Sequence, residues 1–144
     1  MLDRVLPLSE YPYPCAYEGG AKPHQKETVI FHLRNKRSYN LSGMGTGKTL
    51  SLLWVCDFLF CNDKITKVLI IAPLSTIETV WADEIKGHLP HRTYAILHGS
   101  KPIRKQVLAK KAHFYIINHD GTKVIEEDLI AAKFDIVIVD ELTC

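Results

Sequence analysis

At 144 residues, with 47% hydrophobic and 24% charged, the chain has the size and composition of one globular domain with its own core, which excludes a disordered or fibrous chain. A formal net charge of +2 excludes the strongly basic balance that marks many nucleic-acid binders in bulk, so any such contact has to be local. No stretch approaches the ~18 uninterrupted apolar residues of a membrane span, and no secretory leader opens the chain, so an intracellular location, cytoplasmic or nuclear in a eukaryote, is expected.

Residues 1–22 carry Pro7, Pro12, Pro14, Gly19 and Gly20 and read as an extended N-terminal segment. From Pro23 the pattern alternates between helix and strand. Gln25 to Arg34 is helical, with Val29, Ile30 and Leu33 on one side, and Ser38 to Leu41 is a short strand. Thr49 to Phe60 is apolar nearly all round and predicts a buried helix. Cys56 within that run and Cys61 directly after it read as buried free thiols. With Cys15 and Cys144 they form no C-x-x-C pair, and the seven histidines form no ligand-spaced cluster.

Val68 to Ala72 is a continuous apolar run, as in a strand covered on both faces. Ser75-Thr-Ile-Glu78 then reads as a capping box, followed by Val80, Trp81 and Ile85 at helical spacing. Thr93 to Leu97, Phe114 to Ile117 and Ile136 to Val139 are further strands, separated by helical patterns at Pro102 to Lys111 and Lys123 to Ala132. Alternation of this kind predicts an α/β fold, a mostly parallel sheet flanked by helices, with its ligand beyond the carboxyl ends of the strands. Lys101, Arg104, Lys105, Lys110 and Lys111 read as a solvated helix face, with a phosphate-contacting face as the alternative.

Two motifs fall where such a fold binds its ligand. Ser42-Gly43-Met44-Gly45-Thr46-Gly47-Lys48-Thr49 lies directly after a strand and before a helix, the context that a Walker A phosphate loop requires. Gly43, Met44, Gly45, Thr46 and Gly47 would turn backbone N–H groups inward as an anion nest, and the helix start adds its positive dipole end. Lys48 would reach the β- and γ-phosphates of ATP, and the Thr49 hydroxyl would ligate Mg²⁺. Ile136-Val-Ile-Val139 delivers Asp140 and Glu141 at a strand end, as a Walker B motif does, with Asp140 for the Mg²⁺ shell and Glu141 to polarise the attacking water.

The phosphate loop, with Ser42 where a first glycine is usual, resembles that of superfamily 2 helicases. From about Pro23 to Glu141 the chain resembles the Swi/Snf-type branch, the double-stranded-DNA translocases, and so the first, N-terminal RecA-like lobe of a P-loop NTPase motor. Pro23-His24-Gln25 is similar to the family's adenine-reading segment, in which the Gln25 amide offers donor and acceptor. Ile70-Ile71-Ala72-Pro73-Leu74-Ser75, with Trp81 and Glu84-Ile85 after it, is similar to a motif whose turn meets the nucleic-acid backbone. Trp81 itself reads as core. His98-Gly99-Ser100 and Ile116-Ile117-Asn118-His119-Asp120 resemble two further strand-end motifs, with His119 where relatives often have an aromatic. The resemblance thus implies Pro73, Ser75, Gly99 and Asn118 as nucleic-acid contacts.

Leu142 and Thr143 depart from the family's usual continuation after Asp-Glu. Residues 23–144 are expected to form lobe one, ending just past the Walker B strand, with the second lobe, which supplies arginines to the γ-phosphate, outside them. The expected function is therefore the ATP-binding lobe of a DNA-dependent ATPase that couples hydrolysis to movement on DNA. The isolated chain is expected to turn over little, unless a second-lobe polypeptide completes it. The alternative is a non-catalytic nucleotide-binding or decoy module docked on a partner motor. A P-loop kinase has no use for the Gln25 segment or the Pro73 to Ile85 pattern.

Overall fold

The computed structural model describes residues 6–34, 38–41 and 48–140, with side chains for all of these except 28, 31–34, 38–41 and 48. A five-stranded parallel sheet organises them: β1 (Ser38–Leu41), β2 (Val68–Ala72), β3 (Tyr94–Leu97), β4 (Phe114–Asn118) and β5 (Ile136–Asp140), in the order β1-β5-β2-β4-β3. Helix α1 (Pro23–Arg34) precedes them, and between them run α2 (Lys48–Cys61), α3 (Leu74–Thr76), α4 (Asp83–His88), α5 (Lys101–Leu108), α6 (His119–Val124) and α7 (Glu126–Ala132). Every predicted strand is present, to within a residue at each end.

Side-chain alternation sorts the strands between two faces. Val68, Ile70, Phe114, Ile116, Ile136 and Ile138 join the larger core, with Leu50, Leu53 and Trp54 of α2 and with Trp81 and Ile85. Leu69, Tyr115 and Ile117 point the other way, onto Leu97, Ile125 and Leu129. Helix α2 is apolar all round because the sheet covers one side and the N-terminal segment much of the other.

That segment is a strap laid antiparallel along α2. Asn62, just past the helix end, donates its side-chain N–H to Leu6 O, the Tyr11 hydroxyl donates to Asp57 at 2.6 Å, and Trp54 Nε1 donates to Pro14 O at 2.7 Å. The strap continues onto α4, where Ala16 N–H donates to His88 Nδ1 and the Tyr17 hydroxyl to Glu84. Tyr13 meets Trp54 edge to face.

Asp57 is a buried carboxylate in this seam. Besides Tyr11 it accepts from Arg92 Nε at 2.6 Å and pairs with His91 Nε2 at 2.8 Å. Burial, then the Asp57 charge, push the Tyr11 hydroxyl far above the ordinary tyrosine range, so it remains a donor. Cys56 is buried as expected, and burial drives its thiol up. Cys61 is not: it lies at the last turn of α2 and is exposed, with Arg92 against its sulfur.

Three helical expectations are corrected. The predicted capping box does not form: α3 starts after Pro73, no side chain caps it, and Ser75 lies inside the first turn, where its carbonyl accepts from Thr79 Oγ1. A proline at the cap position has no side-chain acceptor to offer. The helix then widens into a π-helix over Ile77–Ala82, closed by an Asp83 N–H bond to Glu78 O, before α4 continues it. The predicted helix over Lys123 to Ala132 is two helices, broken at Ile125, which leaves helical geometry (ψ 38°) to bury its side chain. Helix α5 ends at Leu108, so Lys110 and Lys111 lie beyond it. Among the described residues no helix is long and apolar enough to cross a membrane.

Removing the Tyr11 hydroxyl (Tyr11→Phe) is expected to cost about 1–3 kcal/mol by leaving Asp57 short of a donor. Asp57→Ala, which strands Arg92, is expected to cost about 3–5 kcal/mol; urea unfolding measures both.

Asp135 supplies a pH dependence of known sign. Burial raises its carboxyl, but N–H bonds from Thr66 and Lys67 and the Thr66 hydroxyl outweigh that and hold it below the usual range. Its contribution is therefore complete above pH about 4 and is lost as pH falls through the lowered folded-state value. Asp135→Asn is expected to lower the urea midpoint at pH 7 and to narrow the gap between mutant and wild type at pH 3.

Candidate nucleotide site

The site is the carboxyl edge of the sheet, and register sets its order. Leu41 pairs with Asp140, Ile71 with Val139, Ala72 with Asn118, and Leu97 with Ile117. Reading across, the edge presents the segment entering the phosphate loop, then Asp140, then the Pro73 turn, then Asn118, then the turn at Gly99. Strand β5 thus lies between β1, which leads into the candidate phosphate loop, and β2, which leads to Pro73.

Residues 42–47 of the candidate phosphate loop and Glu141 lie outside the described residues. Lys48 is described as the first residue of α2 by its backbone alone, and Thr49 follows in the first helical turn, half-buried. Asp140 is 3% exposed. The indole Nε1 of Trp81, itself fully buried, donates to Asp140 Oδ2 at 3.1 Å, and His119 Nε2 donates to the Asp140 carbonyl at 2.9 Å. Trp81 is core as expected, but its polar edge is spent on this carboxylate. The sequence signal was the pairing of a buried indole, which needs an acceptor, with a buried carboxylate, which needs a donor. Among the described residues no cationic side chain pairs with Asp140. A carboxylate buried with a neutral donor fits a divalent cation, which supplies the missing charge.

Gln25 is buried at the start of α1, not exposed there, and its Oε1 accepts from Lys22 N–H at 2.9 Å. Lys22 precedes Pro23, the first helical residue, so Gln25 forms the reaching-back half of a capping box. Helix α1, which this turn begins, packs along α2.

On the other side, Pro73 is half-buried, and Leu74 and Ser75 are exposed. Gly99 is exposed at φ +108°, a conformation glycine adopts without strain. Asn118 begins α6 without capping it, because its Oδ1 accepts from Arg104 at 3.3 Å. Arg104 corrects the solvated-face reading. Lys101, Lys105, Lys110 and Lys111 are exposed, but Arg104 is buried and also donates to Gly99 O at 2.8 Å and Leu97 O at 2.9 Å. A planar fork with five donors suits two carbonyls and an amide better than water does. Arg104 therefore joins the Gly99 turn to Asn118, and nothing in a run of cations distinguished it.

Residues 24–142 match the model of the SNF2-related domain. The chain belongs to the SNF2-related domain family. Its fold is that of the first RecA-like lobe of a Swi/Snf-type superfamily 2 ATPase. This SNF2-related domain is 31% identical over 128 residues to protein p41 of Acyrthosiphon pisum secondary endosymbiont phage 1, covering 85% of the chain and 28% of p41. It also superposes, with a TM-score of 0.65 and 18% identity, on the Sulfolobus solfataricus SWI2/SNF2 ATPase core, solved in complex with dsDNA. That match covers 98% of the chain and 34% of the archaeal one, and at this identity it speaks for the fold.

A Cβ added to Gly121 would stand 2.0 Å from an Arg104 guanidinium nitrogen and 2.7 Å from Asn118 Oδ1. Gly121→Ala is accordingly expected to expel Arg104 and destabilise the domain by about 1–3 kcal/mol, measured by urea unfolding.

Proposed function

We propose that residues 23–144 form the ATP-binding lobe of a DNA translocase and that the strap from Leu6 to Tyr17 braces it. The observation that supports this reading is the pairing of Leu41, the residue before the candidate Walker A sequence, with Asp140 of the candidate Walker B sequence at the carboxyl edge of a parallel sheet. In this reading the backbone of Gly43 to Gly47 cradles the phosphates and Lys48 reaches the β- and γ-phosphates. The Thr49 hydroxyl and the Asp140 carboxylate hold Mg²⁺, which when bound neutralises charge on the phosphoryl oxygens. Glu141, one residue past the strand end, orients and polarises the attacking water. Gln25 reads adenine through its amide N–H₂, with its oxygen already engaged by Lys22.

Pro73, Ser75, Gly99 and Asn118 face the backbone of duplex DNA in the same reading. They stand together on the β2–β4–β3 side of the edge, which supports one continuous contact strip. Movement on DNA needs a second lobe that opens and closes against this one. An arginine finger from such a lobe contributes on the order of 10³–10⁵ in turnover. The 144 residues alone should therefore bind nucleotide and hydrolyse it slowly.

Calorimetry with Mg²⁺-ATP tests the nucleotide site. Wild type is expected to bind, and Lys48→Ala to bind at least about tenfold more weakly, through loss of one charge-assisted contact. ATPase assays with and without duplex DNA are expected to give little turnover. Equal binding by wild type and Lys48→Ala would overturn the nucleotide site, and robust DNA-stimulated turnover would overturn the need for a second lobe.

A further inference from the structure

Asp140 is held from two directions, by residues of two different motifs. Trp81 reaches its carboxylate from the π-helix that follows the Pro73–Ser75 turn. His119, which directly follows Asn118, reaches its carbonyl from the first residue of α6. We propose that Trp81 and His119 are positioning residues that aim the Asp140 carboxylate at the divalent cation and tie it to the two strand-end turns on the DNA side. This rests on the reading of Asp140 as a metal ligand.

The local geometry supports each tie. Ile77, Trp81 and Ile85 recur every four residues, and all three are buried. A uniform α-helix rotates such a series steadily away from one face. The π-helix, with its i→i+5 bonding, takes up that drift and keeps the indole N–H on Asp140 while Ile77 and Ile85 stay in the core. An indole has one N–H and no acceptor, so it can orient a carboxylate without competing for the metal. For His119, a carbonyl only accepts, so Nε2 carries the proton of the bond. That bond fixes the backbone at the last strand residue, from which the side chain of Asp140 and the chain to Glu141 both depart. A shift of either turn therefore reaches the cation site through a hydrogen bond of 3.1 Å or 2.9 Å.

Ligands of a metal are commonly oriented by such outer hydrogen bonds, and losing one typically costs 10–100-fold in metal affinity. The test titrates Mg²⁺ into the 144-residue protein with ATP and reads nucleotide binding by calorimetry, with ATP in EDTA as the metal-free reference. Trp81→Phe and His119→Ala are expected to raise the half-saturating Mg²⁺ concentration about tenfold while ATP affinity in EDTA stays within about twofold. His119→Gln, whose amide keeps a donor, is expected to recover most of the wild-type midpoint. Because Trp81→Phe alters the core, the wild-type protein gives a second reading. The Trp81 indole ¹H–¹⁵N resonance, identified by its absence in Trp81→Phe, should shift with Mg²⁺-ATP and not with ATP in EDTA.

Asp140→Asn separates the two levels. If it leaves the Mg²⁺ dependence unchanged, the reading of Asp140 as a ligand fails, and the proposal with it. If it abolishes that dependence but Trp81→Phe and His119→Ala keep wild-type midpoints and the indole stays silent, the proposal alone is overturned. The link to the turns is read by duplex DNA. Duplex DNA is expected to change Mg²⁺-ATP affinity in wild type by a factor that shrinks toward one in His119→Ala; a factor of one in wild type, or an unchanged factor in His119→Ala, overturns that link.

Discussion

The position of β5 between β1 and β2 is the constraint on which the rest of the structure depends. Parallel pairing in register on both sides brings Leu41, Asp140 and Ala72 to one level at the carboxyl edge. The chain enters the phosphate-loop sequence on one side of Asp140 and turns at Pro73 on the other. No side chain in the edge could hold this relation by itself. It follows from main-chain hydrogen bonds, so it persists whatever the loops do.

Two kinds of support keep that edge in place. Apolar layers on both faces of the sheet fix its position, with Trp54 and Trp81 on one side and Leu97 and Ile117 on the other. Buried polar side chains then hold the segments that the apolar layers cannot specify. Asp57 gathers the strap, α2 and the loop before β3, and Arg104 gathers the Gly99 turn and Asn118. Each is a charge taken out of water at a cost, and each recovers that cost only because several partners converge on it.

Most of the fold was legible in the sequence because strand signals are local. Val68 to Ala72 and Ile136 to Val139 need nothing but their own apolar runs, and the phosphate-loop sequence announces its context. Side-chain partnerships were less legible because they join residues far apart. The Trp81 indole and the Asp140 carboxylate are each unremarkable alone, and Arg104 looks like its lysine neighbours. The capping box at Ser75 failed because Pro73 already set where the helix begins. Gln25 matched a motif and yet serves the helix start, since the same amide suits either task.

The strand order has a consequence for how the domain comes into being. β1 lies at the edge of the sheet and pairs, among the described residues, with β5 alone, Ser38 meeting Val137. Strands β2, β3 and β4 can find one another over shorter loops, whereas β1 must wait until β5 has been made before its ladder can close. Closing so long a loop is slow. During synthesis β1, which leads into the candidate phosphate loop, is made early and paired late, so its ladder with β5 closes after β2, β3 and β4 have been made.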